Sequence, residues 1–478
     1  MLKKSLLVFT AACLLFINTV SVYAQETANE LSPPQLHSAA GIVMDADTGQ
    51  VLYGQNIHTQ LYPASITKIV TLLLAMEKGD PNDIVTMTDE GVFSVPRGTT
   101  HIALTTGEKI RLEQLEYAMM VESANDAANG IAIHLAGSIE KFAQMMNEKA
   151  QEIGAVNSHF TNANGLPDSG HYTTVYDMAL FTKEAMEYPQ FASLAGTLSY
   201  EIPPTNKQPE TRILSNRQYM LWPQYIYEGA FAGKTGWTEE AAKTLVTCVE
   251  RDGVKLICVV MKSKGIVDAE FVDSTNLLDY CYDNFHRETI PKTAVQPKTV
   301  ELTGEDGEPT QQILGLEEDM QVMLPAGLTA QQLTIEEVLP QTLSQDTVQQ
   351  AKVILSAPKE YTGKMDLTVG EFPLVVQKQE TPVAALQEET AQKEGRPQWL
   401  ALGLAVLKWG AAAIILIGIL LFAVRIYVKA RRRKMRKVRL QKLKMRTRAA
   451  PIPRPLNPAE TLPQKKKPKI EIISVEEE

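Results

Sequence analysis

The chain has 478 residues, with 47 Lys and Arg against 56 Asp and Glu and a formal net charge of −9. This length allows two or three domains. Of the four cysteines, Cys13 lies in the N-terminal apolar run, and the remaining three leave an odd count, which argues against a disulfide scaffold. The seven histidines show no His-x-x-x-His pattern and no cysteine cluster is present, so we expect no metal and no cofactor.

The N-terminus has the pattern of a secretory signal. Lys3 and Lys4 precede an apolar run over residues 6–20, and small residues before Gln25 offer a cleavage site after Ala24. We therefore expect residues 1–24 to be removed. An uncleaved anchor is the alternative, but the apolar run is short for that.

The first candidate catalytic motif is Ser-x-x-Lys at Ser65 and Lys68. An apolar run continues to Met76 and is closed by Gly79, which predicts a largely buried helix. The spacing places Lys68 on the same face as Ser65, one turn away. A serine hydroxyl needs a base to take its proton, and a lysine can do so only when burial or a nearby cation lowers its pKa. The buried helix would supply the first condition and Lys234 the second.

A single Ser-x-x-Lys is weak, since a capping serine and a solvated lysine produce the same pattern. Two further copies start at Ser138 and Ser356. We interpret Ser138 as a helix N-cap, and Pro358 argues against a helix at the third copy.

The second motif is Ser123-Ala124-Asn125, between apolar helical patterns over residues 112–121 and 127–136. A polar turn between buried helices can present a hydroxyl and an amide to a cleft. The alternative is a simple helix cap. Another Ser-x-Asn begins at Ser274, so this motif is also weak by itself.

The third motif is Lys234-Thr235-Gly236, in an extended stretch followed by Trp237. Two apolar strands over residues 244–250 and 254–261 come next, joined by a turn containing Gly253, which predicts a hairpin. A glycine within a strand often marks close approach of another backbone. A peptide could lie along this strand with its carboxylate on Lys234 and Thr235. A surface strand with an ordinary lysine is the alternative.

In this order, the three motifs resemble those of the penicillin-binding D-alanyl-D-alanine carboxypeptidases, low-molecular-mass serine peptidases of the penicilloyl serine transferase type. Segments 41–53, 160–168, 171–174 and 177–179 add to the likeness, which covers residues 36–290. It implies an α/β (α+β) catalytic domain over residues 25–292, β-lactamase/transpeptidase-like, with an antiparallel sheet and a helical cluster.

The resemblance also implies a role for each motif residue. The substrates would be peptidoglycan stem peptides, with β-lactams as covalent inhibitors. Ser65 would be the nucleophile, Lys68 its base and Ser123 a proton relay. Asn125 would bind the substrate amide, and Lys234 and Thr235, on a strand continued by Gly236, would bind the carboxylate. The backbone N–H groups of Ser65 and Trp237 would bind the oxyanion.

The chain departs from the family pattern in two places. Position 237 is Trp where relatives often carry His, Tyr or Phe, but only its N–H is needed. Some relatives place an arginine after the hairpin, and residues 264–270 contain none. Lys234 and Thr235 would then bind the carboxylate alone, or Lys264 would contribute.

Cys248 and Cys258 lie on the facing strands of the predicted hairpin and could pair, although buried thiols are the favoured interpretation. Cys281 completes an odd count once the signal is removed with Cys13.

Residues 294–380 change character, with short alternating stretches separated by Gly, Pro and Asp. This pattern predicts a small all-β second domain that spaces the catalytic domain from the membrane. Residues 381–398 are expected to be a linker.

Residues 399–424 are apolar except for Lys408, and residues 425–478 hold 18 Lys and Arg against 5 Asp and Glu. The pattern predicts a C-terminal transmembrane helix over residues 399–428 and a basic, disordered cytoplasmic tail over residues 429–478. The tail would contact anionic lipid rather than nucleic acid. The catalytic domain of this single-pass plasma-membrane protein would then lie outside the cell.

Three functions remain open. The first is a membrane-anchored carboxypeptidase that trims the terminal D-alanine from peptidoglycan stem pentapeptides through an acyl-enzyme. The second is a D,D-endopeptidase or a β-lactamase of the same superfamily. The third is a catalytically silent wall-binding protein, which the intact Ser65, Lys68 and Lys234 disfavour.

Overall fold

A computed structural model describes residues 33–303, 308–358 and 368–377. The predicted signal (1–24), linker (381–398), transmembrane segment (399–428) and tail (429–478) lie outside the described residues. In the stretches that are described, no helix has the length and apolar character needed to span a bilayer. The α-helices of these stretches are α1 (Lys68–Lys78), α2 (Asp89–Phe93), α3 (Leu112–Val121), α4 (Asn125–Ala136), α5 (Ile139–Glu152), α6 (Val175–Met186), α7 (Phe191–Gly196) and α8 (Ala269–Asn284).

The strands pair antiparallel throughout the described ranges, apart from one isolated parallel bridge between Thr303 and Ser344. They are β1 (Ser38–Asp45), β2 (Val51–Gln55), β3 (Ile84–Thr86), β4 (Lys109–Arg111), β5 (Ser199–Ile202), β6 (Arg212–Ser215), β7 (Ala230–Thr238), β8 (Ala242–Arg251), β9 (Val254–Ser263), β10 (Phe285–Ile290), β11 (Lys298–Thr303), β12 (Pro309–Gly315), β13 (Met320–Pro325), β14 (Thr334–Val338), β15 (Lys352–Ser356), β16 (Thr368–Pro373) and β17 (Val375–Val376).

The central sheet has the strand order β2-β1-β9-β8-β7, so β7, which carries the third motif, is an edge strand. Side chains alternate between its two faces because successive strand residues point in opposite directions. Val246 and Val259 pack with the helical cluster, whereas Leu245 and Val260 pack with α8. The expected antiparallel sheet with a helical cluster is therefore present, and it buries both faces of the sheet.

The alternation of side chains between the two faces of the sheet also determines whether the cysteines can form a disulfide. Cys248 lies in the core on the helical-cluster side, while Cys258 and Cys281 lie in the core beneath α8. Because the thiols of Cys248 and Cys258 are on opposite faces, pairing between them is excluded. All three are buried free thiols, and burial raises the pKa of the Cys258 thiol to about 12.

Helix α1 runs through the middle of the helical cluster. Its residues 68–76 are all buried, which explains why the sequence is apolar on every side of the helix. It ends at Gly79, as predicted. Ser65, however, is not in its first α-helical turn, because residues Ala64–Thr67 form a short 3₁₀ turn that leads into α1.

The described residues of 294–303, 308–358 and 368–376 form short strands around a separate apolar core that includes Leu314, Val322 and Leu355. Their sheets have the orders β11-β12-β17 and β14-β15-β16, and β13 pairs with β10. Reciprocal 2.8 Å hydrogen bonds between the Gln50 side chain and the Met323 backbone attach this region to the β1–β2 turn.

Candidate active site

The structure brings Ser65 and Lys68 into contact. The Lys68 side chain is fully buried, and its Nζ lies 3.0 Å from Ser65 Oγ. The same Nζ donates to Asn125 Oδ1 at 2.7 Å and to the carbonyl oxygen of Asn164 at 2.6 Å. The first and second motifs therefore meet at one amine, as their order in the sequence predicts.

Burial, and next the charge of Lys234, hold the pKa of Lys68 well below its usual value. A neutral amine has two N–H groups and one lone pair. The two carbonyl oxygens of Asn125 and Asn164 take the two N–H groups, so the lone pair is left for the Ser65 hydroxyl. This arrangement suits a base that removes the hydroxyl proton.

Residue packing around the 3₁₀ turn fixes the position of Ser65. The backbone of Ala64 has φ +51°, and Gly165 approaches it so closely that a Cβ on Gly165 would lie 1.9 Å from the Ala64 carbonyl oxygen. On the sheet side, Thr244 Oγ1 donates to the Pro63 carbonyl oxygen at 2.8 Å. The turn is held between the 162–165 loop and strand β8.

His171 supports this turn from below. The backbone N–H of Thr161 donates to His171 Nδ1 at 3.1 Å, so Nε2 carries the proton and donates to Thr67 Oγ1 at 2.9 Å. Burial lowers the pKa of His171 to about 4, which keeps the ring neutral at neutral pH. Sequence patterns do not reveal this contact, because Thr67 and His171 are 104 residues apart.

The second motif forms the corner between α3 and α4. Ser123 has φ +65°, a conformation that non-glycine residues rarely adopt and that often marks a functional site. Its side chain is partly exposed, and Asn125 is buried. Within the described ranges, no hydrogen bond joins the Ser123 hydroxyl to Lys68 or Lys234. The proton relay predicted for Ser123 is therefore not formed by a hydrogen bond to either lysine in this structure.

Strand β7 lies beside Ser65. A Cβ on Gly236 would come within 2.8 Å of the Ser65 backbone nitrogen, so a side chain here would separate the strand from the turn. This close approach is what the sequence predicted for a glycine in the strand. Lys234 is buried, Thr235 is partly exposed, and the Trp237 side chain is 67% exposed.

Arg217 is a residue of the site that no sequence motif indicates. Burial and then the charge of Arg217 lower the pKa of Lys234 to about 7, so the guanidinium lies within electrostatic reach of the ammonium. Lys264 is exposed, and the charges that shift the pKa of Lys234 are those of Arg217 and Glu122. Arg217 belongs to no motif and follows β6, so only the fold brings it to the site.

Two of the motif copies elsewhere lie away from the site. The Ser138 hydroxyl accepts a hydrogen bond from the Lys141 N–H at 3.2 Å and caps α5, as predicted. Ser274 is buried within α8. Across residues 33–303, 308–358 and 368–377, no group of three or more His, Cys, Asp or Glu side chains could hold a metal ion.

A Ser–Lys pair beneath the edge strand of an antiparallel sheet with a helical cluster defines an acyl-transfer serine enzyme of the penicillin-binding and transpeptidase fold. Penicillin-binding protein 5 from Haemophilus influenzae has this fold, with a TM-score of 0.57 and 24% identity over 72% of this chain and 98% of that one. The D-alanyl-D-alanine carboxypeptidase DacD from Francisella tularensis has it too, with a TM-score of 0.56 and 19% identity, over 74% and 96%.

The model of the D-alanyl-D-alanine carboxypeptidase family matches residues 27–265. DacF of Bacillus subtilis is 29% identical over 63% of this chain and 79% of its own length, and DacC of Escherichia coli is 30% identical over 66% and 77%. The chain belongs to the D-alanyl-D-alanine carboxypeptidase family and is a serine-type carboxypeptidase.

Proposed function

We propose that this chain is a membrane-anchored enzyme that removes the terminal D-alanine from peptidoglycan stem pentapeptides and forms covalent adducts with β-lactams. The observation that carries the proposal is the buried Lys68 amine, which lies 3.0 Å from the Ser65 hydroxyl and whose pKa burial holds well below its usual value.

In the acylation step, Ser65 Oγ bonds to the carbonyl carbon between the two D-alanines while its proton passes to Lys68 Nζ. The peptide C–N bond then breaks, and the amine of the departing D-alanine takes up a proton. The proton that Lys68 took from Ser65 would pass to this amine through the hydroxyl of Ser123, which is partly exposed, so that Lys68 is neutral again. Water then hydrolyses the ester and returns Ser65 to its free form.

Substrate binding would use the free edge of β7, because an extended peptide can add to an exposed sheet edge. The terminal carboxylate would lie at Lys234 and Thr235, with Arg217 as the further cation that the stretch after the hairpin does not supply. Asn125 would hold the substrate amide. The N–H groups of Ser65 and Trp237 would bind the oxyanion, a contribution of about 3 kcal/mol per donor in other enzymes.

A β-lactam offers the same site an amide carbonyl and a carboxylate. Attack by Ser65 opens the four-membered ring, and the former leaving group stays attached to the acyl-enzyme. The adduct is therefore covalent and keeps the carboxylate at Lys234.

The proposed location of the catalytic domain outside the cell is supported by the sequence alone. The signal over residues 1–24 would export the chain, and the span over residues 399–428 would retain it in the plasma membrane with the basic tail in the cytoplasm. Intact cells treated with protease should lose the catalytic region and keep a membrane-bound C-terminal fragment. An intact chain in that assay, cleaved only after lysis, would contradict this placement.

The chemistry is tested with the full-length protein, labelled penicillin and a pentapeptide ending in D-Ala-D-Ala. Ser65→Ala should give no adduct and no D-alanine, and Lys68→Ala should abolish both while the protein stays folded. Ser138→Ala is the matched control, because it alters the same motif in a capping role and should leave both activities unchanged.

Absence of a wild-type adduct would refute the serine mechanism. An adduct without release of D-alanine would favour the endopeptidase or the silent wall-binding protein. Full activity of Lys68→Ala would show that Lys68 is not the base.

A further inference from the structure

Glu122 connects the end of α3 with the segment after β6, close to the proposed carboxylate-binding residues. It follows the last residue of α3 and directly precedes Ser123. Its Oε1 accepts from Arg217 Nη2 at 3.3 Å, and its Oε2 accepts from the Ser215 N–H at 3.2 Å. The side chain is 23% exposed, whereas that of Arg217 is 60% exposed. Neither the motifs nor the mechanism above uses this carboxylate.

The charges around Lys234 come from three elements. Arg217, on the segment before β7, lowers the pKa of Lys234, and Glu122, at the end of α3, raises it. Lys68, at the start of α1, is itself affected by the charge of Lys234. Glu122 is thus the anion in this set, and it opposes the loss of the Lys234 proton that burial and Arg217 favour.

A bound carboxylate needs Lys234 in its charged form. Since the pKa of Lys234 is already about 7, a small further decrease would leave most molecules with a neutral amine at neutral pH. Such molecules would bind a C-terminal carboxylate poorly, and the neutral amine would also stop depressing the pKa of Lys68. The Glu122 charge acts against both effects.

We propose that Glu122 is a positioning residue that makes the site selective for a free C-terminal carboxylate and sets the upper pH limit of activity. It does so by holding Arg217 at the α3–α4 corner and by keeping the Lys234 ammonium charged. The proposal rests on the carboxylate-binding role given to Lys234 above.

The test compares Glu122→Gln with wild type in the full-length protein, measuring kcat/KM for D-alanine release between pH 5.5 and 9.5. The alkaline limb should move to lower pH by about 0.5 unit or more, since a unit charge nearby is removed. At pH 8.5 kcat/KM should fall at least about threefold, and at pH 6 it should stay within about twofold of wild type. The same peptide with a C-terminal amide should show a smaller difference between the two proteins, because only the effect of Lys234 on Lys68 remains.

Glu113→Gln is the matched control, because Glu113 lies on the same helix and pairs with Arg111 instead. Its profile should match wild type. Glu122→Asp keeps the charge, so its alkaline limb should stay near that of wild type even if the contact with Arg217 weakens. If Glu122→Gln does not fold, Glu122→Asp is compared with wild type instead, and an alkaline limb displaced by about 0.5 unit or more although the charge is kept would contradict the proposal.

A Glu122→Gln profile that superimposes on wild type would refute the proposal, and so would an equal loss of activity at every pH, which indicates a purely structural role. If wild type acylates but releases no D-alanine, the proposed function fails. The pH profile of acylation by labelled penicillin, which carries a carboxylate, then decides the role of Glu122.

Discussion

Gly165→Ala adds one methyl group at the point where the 162–165 loop meets the nucleophile turn. The new Cβ would lie 1.9 Å from the Ala64 carbonyl oxygen, 2.5 Å from its carbonyl carbon and 2.9 Å from Thr67 Oγ1. Two of these atoms are backbone, so no side chain can rotate away. The turn that carries Ser65 must move by about 1 Å or more to restore ordinary van der Waals separation.

Two terms contribute to the cost. Gly165 has φ +86°, and placing alanine there costs about 1–2 kcal/mol. Overpacking that shifts the backbone adds about 1–3 kcal/mol. Gly154→Ala isolates the first term, because Gly154 has φ +77° and its added Cβ would meet no atom within 4 Å. We therefore expect Gly165→Ala to be about 1–3 kcal/mol less stable than Gly154→Ala.

The measurements are the free energy of unfolding in urea and the rate of acylation by labelled penicillin. A displacement of about 1 Å at the nucleophile can cost about 100-fold in rate, so Gly165→Ala should acylate far more slowly than Gly154→Ala. Equal stability and equal acylation rates in the two variants would refute the close packing of Gly165 on the Ala64 backbone.

Two other substitutions test the site. Burial lowers the pKa of His171 from 6.5 to about 4 in the folded protein. As the pH falls, this histidine therefore takes up its proton in the unfolded chain at a higher pH than in the folded one. The free energy of unfolding of wild type, measured in urea, should therefore fall by up to about 3 kcal/mol between pH 6.5 and pH 4. His171→Gln should lack this decrease. An equal decrease in both proteins would contradict a neutral buried ring. Trp237→Ala removes a 67% exposed side chain but keeps the N–H, so kcat for D-alanine release should fall far less than the ~100-fold typical of a lost oxyanion donor. A loss of that size would mean that the indole itself contacts the substrate.

Local patterns predicted the elements that carry the motifs. The apolar run after Ser65, its end at Gly79 and the hairpin of β8 and β9 depend on residues a few positions apart, and these were predicted from the sequence. The closeness of Gly236 to another backbone was also predicted, because a glycine in a strand has few other reasons to be there.

Other features of the site join residues distant in the sequence. The Asn164 carbonyl that binds Lys68 is 96 residues from it, and it accepts through its backbone, which leaves no trace in residue identity. Arg217 reaches Lys234 only because β7 folds back beside the segment that precedes it. The register of β8 and β9 put Cys248 and Cys258 on opposite faces, which their positions in a hairpin did not decide.

The sequence by itself determined the class of chemistry, since a serine, two lysines and an asparagine in motif order already predict lysine-assisted acyl transfer. Only the tertiary structure decided how that chemistry is tuned. Burial of Lys68 and Lys234, the neutral His171 and the anion at Glu122 are properties of packing and of charges brought together by the fold. A pKa depends on what surrounds a group in space, and the linear order of residues does not contain those distances.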